Sequence, residues 1–199
     1  MTKANQFLDV FSLNEIQEIC NSLDKLPNTF NAGNYLNGFV PTDLIFPYIK
    51  NRVIKKLEQL LNEKINTTVG MLLKAEIPWN IHTDYLKGDQ KPKGAFLIPL
   101  LTQNTHTVIF NEECLTNFPD FIEKNKKLEN NAKYLYKTLC SHVTENELEY
   151  LSLCAAYKWY AGSVIFWDRK LLHCSDNFLK NGLTEKRALI IFTNDDENL

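Results

Sequence analysis

From Thr67 to Thr193 the chain is a succession of short runs rich in β-branched and aromatic residues, and no other feature limits its fold as tightly. The runs cover 68–77, 94–101, 105–110, 151–160, 163–167 and 186–193. Turn signals separate them: Lys87-Gly88-Asp89, Ala161-Gly162 and Asn181-Gly182. Most neighbouring runs have no helical segment between them, so a parallel doubly wound sheet is excluded. An antiparallel sandwich or jelly roll is predicted instead. One gap differs. Residues 114–149 are rich in Lys, Asn and Glu, with Phe118, Phe121, Ile122, Leu128, Leu135 and Leu139 at roughly helical spacing, and read as a helical insertion between two strands.

Residues 1–66 read as a helical support for this β core. Ser12 and Glu15 have the spacing of a capping box, and Phe11 and Ile16 that of a hydrophobic staple. Leu13, Ile16, Cys20 and Leu23 continue at helical spacing until Pro27. A loop rich in Asn and Gly follows over 28–38. A second helix is predicted over about 47–62, with Ile49, Val53, Leu57, Leu60 and Leu61 as its stripe. The whole chain, 1–199, reads as a single domain: helices over 1–66, and a β core with its insertion over 67–194.

Composition removes several function classes. Lys and Arg total 22 against 24 Asp and Glu, and Arg52, Arg169 and Arg187 are the sole arginines. No broad cationic field faces nucleic acid. Lys124, Lys126, Lys127, Lys133 and Lys137 read as a solvated helix face. No apolar run is long enough for a membrane span, and residues 1–10 lack the form of a secretory signal. Cys20, Cys114, Cys140, Cys154 and Cys174 are odd in number and scattered, which favours reduced thiols and a cytoplasmic location.

Four histidines are present: His82, His106, His142 and His173. His82 and Asp84 lie two apart at the end of a predicted strand, a spacing that projects both side chains to one face. A second imidazole from another strand would complete a two-His, one-carboxylate set, which leaves one face of an octahedral metal open. His173 follows an apolar run and a turn and is the preferred third member; His106 and His142 are the alternatives. Arg187 opens the apolar run 187–193, and a guanidinium turned inward there needs an anionic partner. The competing reading is a surface ion pair with Glu185. Asn80 and Thr193 share the strand parity of the ligands and of Arg187 and are candidates for further polar contacts. Trp79, Phe96, Trp159 and Tyr160 read as core aromatics, one or two of which could border a substrate mouth.

The ordered set His82-X-Asp84, His173 and Arg187 over residues 71–194 resembles the Fe(II)/2-oxoglutarate-dependent dioxygenases. That resemblance implies a double-stranded β-helix of the cupin type. His82, Asp84 and His173 would then be iron ligands, and Arg187 the anchor for the distal carboxylate of 2-oxoglutarate. Residues 161–168 look like the family's turn and strand before the distal histidine. Many members carry Ser or Thr two positions after the Arg, where this chain has Leu189. The implied chemistry consumes dioxygen and 2-oxoglutarate and releases succinate and CO2. Asp84 fills the position that is small in halogenating relatives, so hydroxylation of a small-molecule or peptide substrate is favoured.

Two other classes stay open on sequence. One is a metal-dependent cupin isomerase or dioxygenase that uses His106 and needs no 2-oxoglutarate. The other is a non-catalytic β-sandwich binding module. The insertion 114–149 is expected to fold over the mouth of the β core as a lid.

Overall fold

The computed structural model describes residues 3–23, 37–40, 50–85 and 92–194. The Lys87-Gly88-Asp89 turn, the Pro27 stop, most of the 28–38 loop, Ile49 and the acidic residues 195–197 lie outside them.

Among the described residues nine strands form two antiparallel sheets. They are β1 (Ala4–Phe7), β2 (Asn37–Val40), β3 (Asn66–Ala75), β4 (Pro92–Pro99), β5 (His106–Glu113), β6 (Leu153–Lys158), β7 (Val164–Asp168), β8 (Leu171–Ser175) and β9 (Lys186–Asn194). The larger sheet runs β1-β7-β4-β9-β3-β2 and the smaller β6-β5-β8. All six runs read as strands from sequence are present. β1, β2 and β8 are additions, and β2 begins inside the segment read as loop. The two sheets face each other across a shared core: Leu97, Ile165, Trp167 and Ile190 from one, Ile109 and Leu171 from the other.

Each sheet is also covered on its outer face, which explains why these strands are apolar on both sides. Against the large sheet pack α1 (Leu13–Leu23), a π-helical turn (Lys50–Ile54) and α2 (Lys55–Leu61). Ile16, Ile19, Val53 and Leu57 meet Leu72, Ile98, Leu189 and Ile191 there. The capping box forms as expected, with Glu15 N donating to Ser12 Oγ (3.3 Å) and Ser12 N to Glu15 Oε2 (2.8 Å). Leu13, expected on the apolar stripe, is 71% exposed, and Ile19 takes the buried position. The expected second helix begins as the π-helical turn before continuing as α2.

The insertion is helical, as read: α3 (Phe118–Lys124), α4 (Ala132–Thr138) and α5 (Glu145–Leu148). It is not a lid. Phe118, Leu135, Cys140 and Leu148 pack on Val108, Phe110 and Leu172, the outer face of the small sheet. Burying a side chain of this size contributes about 1.5–3 kcal/mol, so the insertion is held as firmly as core.

The turn before β7 depends on Gly162, whose φ is 81°. A Cβ there would lie 2.1 Å from the carbonyl oxygen of Phe11, which Gly162 approaches to accept the Phe11 amide. All five cysteines are free thiols. No helix among the described residues is long and apolar enough to cross a membrane.

Candidate metal centre and cavity

After β3 the chain leaves the large sheet, passes Pro78 and crosses to the small one. There His82 and His173 form a single antiparallel bridge. His82 N donates to His173 O (3.0 Å) and His173 N to His82 O (2.9 Å). The bridge sets the two imidazoles side by side, with ring centroids 4.3 Å apart. Asp84 follows two residues later and turns its carboxylate between them. Its Oδ2 is 3.3 Å from His173 Nε2, and its Oδ1 is 3.8 Å from His82 Nε2. One ligand atom from each of the three residues lies within 4.8 Å of the others, the only such group of three among the described residues.

The surrounding hydrogen bonds fix which atoms face inward. His82 Nδ1 donates to Asn80 O (2.7 Å) and His173 Nδ1 to Leu171 O (3.0 Å), leaving both Nε2 atoms directed at the carboxylate. Trp167 Nε1 donates to Asp84 Oδ2 (3.0 Å). Withdrawal from solvent, with His173 adding to it, pulls the His82 pKa down to about 4. Burial opposes ionisation of Asp84, yet the two imidazoles and Trp167 outweigh it and hold the carboxyl below its usual range. Burial likewise pulls His173 down, but Asp84 beside it prevails and raises it. A carboxylate with two imidazoles whose outer nitrogens are tied to carbonyls is the donor set expected of a divalent transition-metal site, so the residues fit that group.

These residues border a cavity of about 350 Å3 between the two sheets. Its walls are mostly apolar, Leu73, Leu97, Ile190 and Phe192 among them, with Thr83, Thr107 and Ser175 as neutral polar groups. Among the described residues its one cationic lining residue is Lys186, which is 2% exposed. Lys186 Nζ lies 4.3 Å from the centre of the Trp159 ring and 5.3 Å from that of Phe178, and has no hydrogen-bond acceptor among the described residues. Trp159 is itself fixed by donating to Thr107 Oγ1 (2.9 Å).

Three of the expected site residues lie elsewhere than expected, two of them by strand parity. On β9, Lys186, Ile190 and Phe192 face the cavity, while Leu189 and Ile191 face the helices. Arg187 therefore points away, and its Nε donates to Glu185 Oε1 at 2.8 Å. Thr193 lies on the same outer parity and exchanges hydrogen bonds with Gly94 N (3.1 Å) and Gly94 O (3.0 Å). Asn80 is exposed and meets the centre through its backbone carbonyl alone. His106 is likewise outside: Thr107 faces the cavity, and His106 Nδ1 donates to the buried Asp176 Oδ2 (3.0 Å). His142 donates through Nε2 to Trp79 O (3.0 Å), supporting a cavity residue without reaching the cavity.

Lys186, Arg169 and Trp167 escaped sequence reasoning. Lys186 sits beside Arg187 in a strand buried on both faces, so hydrophobic alternation gives no sign of which cation turns inward. Arg169, fully buried behind Asp84, lies in the two-residue corner between β7 and β8, where no periodicity operates.

No protein-family model matches the chain, and no curated protein matches it in sequence. Solved structures do match. The non-haem α-ketoglutarate-dependent carbocyclase SnoK from nogalamycin biosynthesis aligns over 97% of this chain and 80% of its own, at 13% identity and a TM-score of 0.64. The epimerase SnoN, solved with Fe3+, α-ketoglutarate and nogalamycin RO, covers 97% and 79% at 11% identity and a TM-score of 0.58. HygX from Streptomyces hygroscopicus, with nickel and 2-oxoglutarate bound, covers 98% and 84% at 12% identity and a TM-score of 0.59. The chain thus has the fold of iron- and 2-oxoglutarate-dependent enzymes, in agreement with the resemblance read from its motifs.

Proposed function

We propose that this chain is an Fe(II)- and 2-oxoglutarate-dependent oxygenase, with His82, Asp84 and His173 as metal ligands and Lys186 as the anchor of the 2-oxoglutarate carboxylate remote from the metal. The observation that carries the reading is the pairing of two features in one cavity: the convergent His-Asp-His set and a buried ammonium with no hydrogen-bond acceptor among the described residues. A buried cation without a partner is costly, and an entering carboxylate relieves that cost by accepting from it. A dicarboxylate that meets a metal at one end and Lys186 at the other suits this cavity. Solved structures of similar fold that hold Fe3+ or nickel together with α-ketoglutarate (2-oxoglutarate) support a metal and this dicarboxylate as the ligands of such a cavity.

When bound, the iron and 2-oxoglutarate supply the oxidising chemistry: dioxygen is consumed, 2-oxoglutarate becomes succinate and CO2, and the substrate is oxidised. The protein's own residues set the conditions. Trp167 holds one oxygen of Asp84 and packs on His173, with ring centroids 4.9 Å apart. The carbonyls of Asn80 and Leu171 keep both imidazoles aimed inward. The apolar walls from β3, β4 and β9 keep water away from the reacting atoms. The placement of His106 against Asp176, outside the cavity, removes the residue that a cupin mechanism without 2-oxoglutarate would have used.

We assign a small-molecule substrate and hydroxylation as the outcome; SnoN and SnoK are named for epimerisation and carbocyclisation. Mass analysis separates these as gain of one oxygen, no change in mass, or loss of two hydrogens. The first experiment is succinate release from 2-oxoglutarate by protein reconstituted anaerobically with Fe(II) and then exposed to air. No succinate above that of the His173→Ala protein, across a panel of candidate substrates and in their absence, would refute the proposal.

A further inference from the structure

Asp84 lies just past the His82–His173 bridge, and no strand ladder reaches it. Something else must hold its backbone, because a metal ligand that drifts by about 0.5 Å loses its aim. Arg169 is placed to do so. Its backbone carbonyl accepts from Asp84 N (3.2 Å) and from Thr83 Oγ1 (2.8 Å). Its guanidinium returns from the other side, Nη2 and Nε donating to Asp84 O at 2.8 and 3.2 Å. The third nitrogen, Nη1, reaches the end of β9, donating to Asn194 Oδ1 (2.8 Å) and Thr193 O (3.4 Å). The plane of the group lies over the Phe192 ring, 4.7 Å from its centre.

We infer that Arg169 is a positioning residue of the metal centre: it brackets the Asp84 peptide on both sides and so sets the aim of the carboxylate. The inference rests on the proposed metal-binding role of His82, Asp84 and His173. Arg169 touches none of their donor atoms and acts through the backbone of one of them. Its place in the chain adds to the effect. Trp167, which donates to the Asp84 carboxylate, is two residues before it, and His173 is four residues after it on β8. One corner residue therefore ties together the two strands and the loop that supply the second imidazole, the indole and the carboxylate. A lysine would not substitute. Its ammonium is a point donor, whereas the planar fork reaches Asp84 O and the end of β9 at once.

The test uses Co(II) alone as the metal probe, read by its visible absorption and by anaerobic titration of the full chain. Arg169→Lys should weaken Co(II) binding by roughly 10- to 100-fold, the range expected when a group orienting a metal ligand is lost. It should also change the shape of the absorption band, which a loss of stability alone does not. Thr83→Val removes the hydroxyl arm of the bracket, together with the bond that Tyr85 N donates to Thr83 Oγ1 (3.3 Å), and should weaken binding by less, in the same direction. Leu57→Ala, in the distant core against the helices, should lower the melting temperature and leave Co(II) affinity and spectrum as in the wild type. If Arg169→Lys does not fold, Thr83→Val decides. Folded variants that bind Co(II) with wild-type affinity and spectrum overturn the inference. Failure of the wild type to bind Co(II) overturns the functional reading, and the inference with it.

Discussion

Replacing Lys186 with Met separates what the folded chain loses by burying a cation from what the site gains by having one. Burial pulls its pKa down to about 8, against the countering pull of Asp176 and Cys174. A fall from the model-compound value of 10.5 to about 8 corresponds to about 3 kcal/mol of destabilisation. The sign follows from proton binding. Between about pH 8 and 10.5 the unfolded chain keeps the proton and the folded chain has lost it, so stability rises with pH across that window. Below about pH 8 the whole cost is present. The contacts with Trp159 and Phe178 return about 1–2 kcal/mol, leaving a net gain of about 1–2 kcal/mol for Lys186→Met at pH 7. For a chain of this size that is a rise of about 2–8 °C in melting temperature. The gap from wild type should shrink as the buffer is raised toward pH 10.

The same substitution should damage function. Loss of one charge-assisted contact costs roughly 1.5–3 kcal/mol, which is about 10- to 150-fold in 2-oxoglutarate affinity. Arg187→Ala should change that affinity little, because Arg187 already pairs with Glu185 on the opposite face. Melting curves from pH 7 to 10, with anaerobic 2-oxoglutarate titrations of the Mn(II)-loaded protein, read both effects. A Lys186→Met protein that melts lower and binds 2-oxoglutarate normally, or a larger loss in Arg187→Ala, would refute the reasoning.

Changing His82, Asp84 or His173 to Ala should abolish stoichiometric Fe(II) or Mn(II) binding, measured by metal analysis after anaerobic loading. His106→Ala and His142→Ala should retain it. Trp167→Phe keeps a ring against His173 but leaves Asp84 Oδ2 one donor short, so metal affinity should fall roughly 10-fold by titration; wild-type affinity would remove the indole from the site. Replacing 116–147 with a Gly/Ser linker uncovers Val108, Phe110 and Leu172. We expect aggregation, read by size-exclusion chromatography, and a monomeric, metal-binding product would contradict the packing described.

The sequence disclosed what depends on spacing within one segment, and concealed what depends on pairing between segments. Strand runs, the Ser12–Glu15 cap and the helical character of 114–149 are local properties, and each was legible. His82, Asp84 and His173 could be named because a two-residue spacing and a strand-end position narrow the choices among only four histidines. Arg187 was misplaced for a physical reason. β9 is covered on both faces, so its apolar run carries no alternation, and a one-residue error in parity exchanges Arg187 for Lys186. The same error carried Thr193 to the wrong side. The insertion was expected over the cavity because its length was visible and its packing surface was not. That surface is the outer face of β5 and β8, where Val108, Phe110 and Leu172 alternate with Ile109 and Leu171 of the inner core.

The His82–His173 bridge lies outside the strand ladders and joins positions 91 residues apart in sequence, with Ser175 N donating to Trp79 O (3.2 Å) on one side and Asp84 N to Arg169 O (3.2 Å) on the other. Four backbone hydrogen bonds without a continuous ladder hold this crossing against the entropy of a long loop, so it opens more easily than the sheets beside it. A metal held by both side chains would turn the bridge into a cross-link, and occupancy a hundredfold above the dissociation constant adds about 2.7 kcal/mol against opening. The amides of His82 and His173, each buried in the other's carbonyl, would then exchange with deuterium roughly 100-fold more slowly in loaded protein than in stripped protein. Those two peptide groups are a built-in gauge of occupancy, readable by mass spectrometry without substrate, turnover or colour.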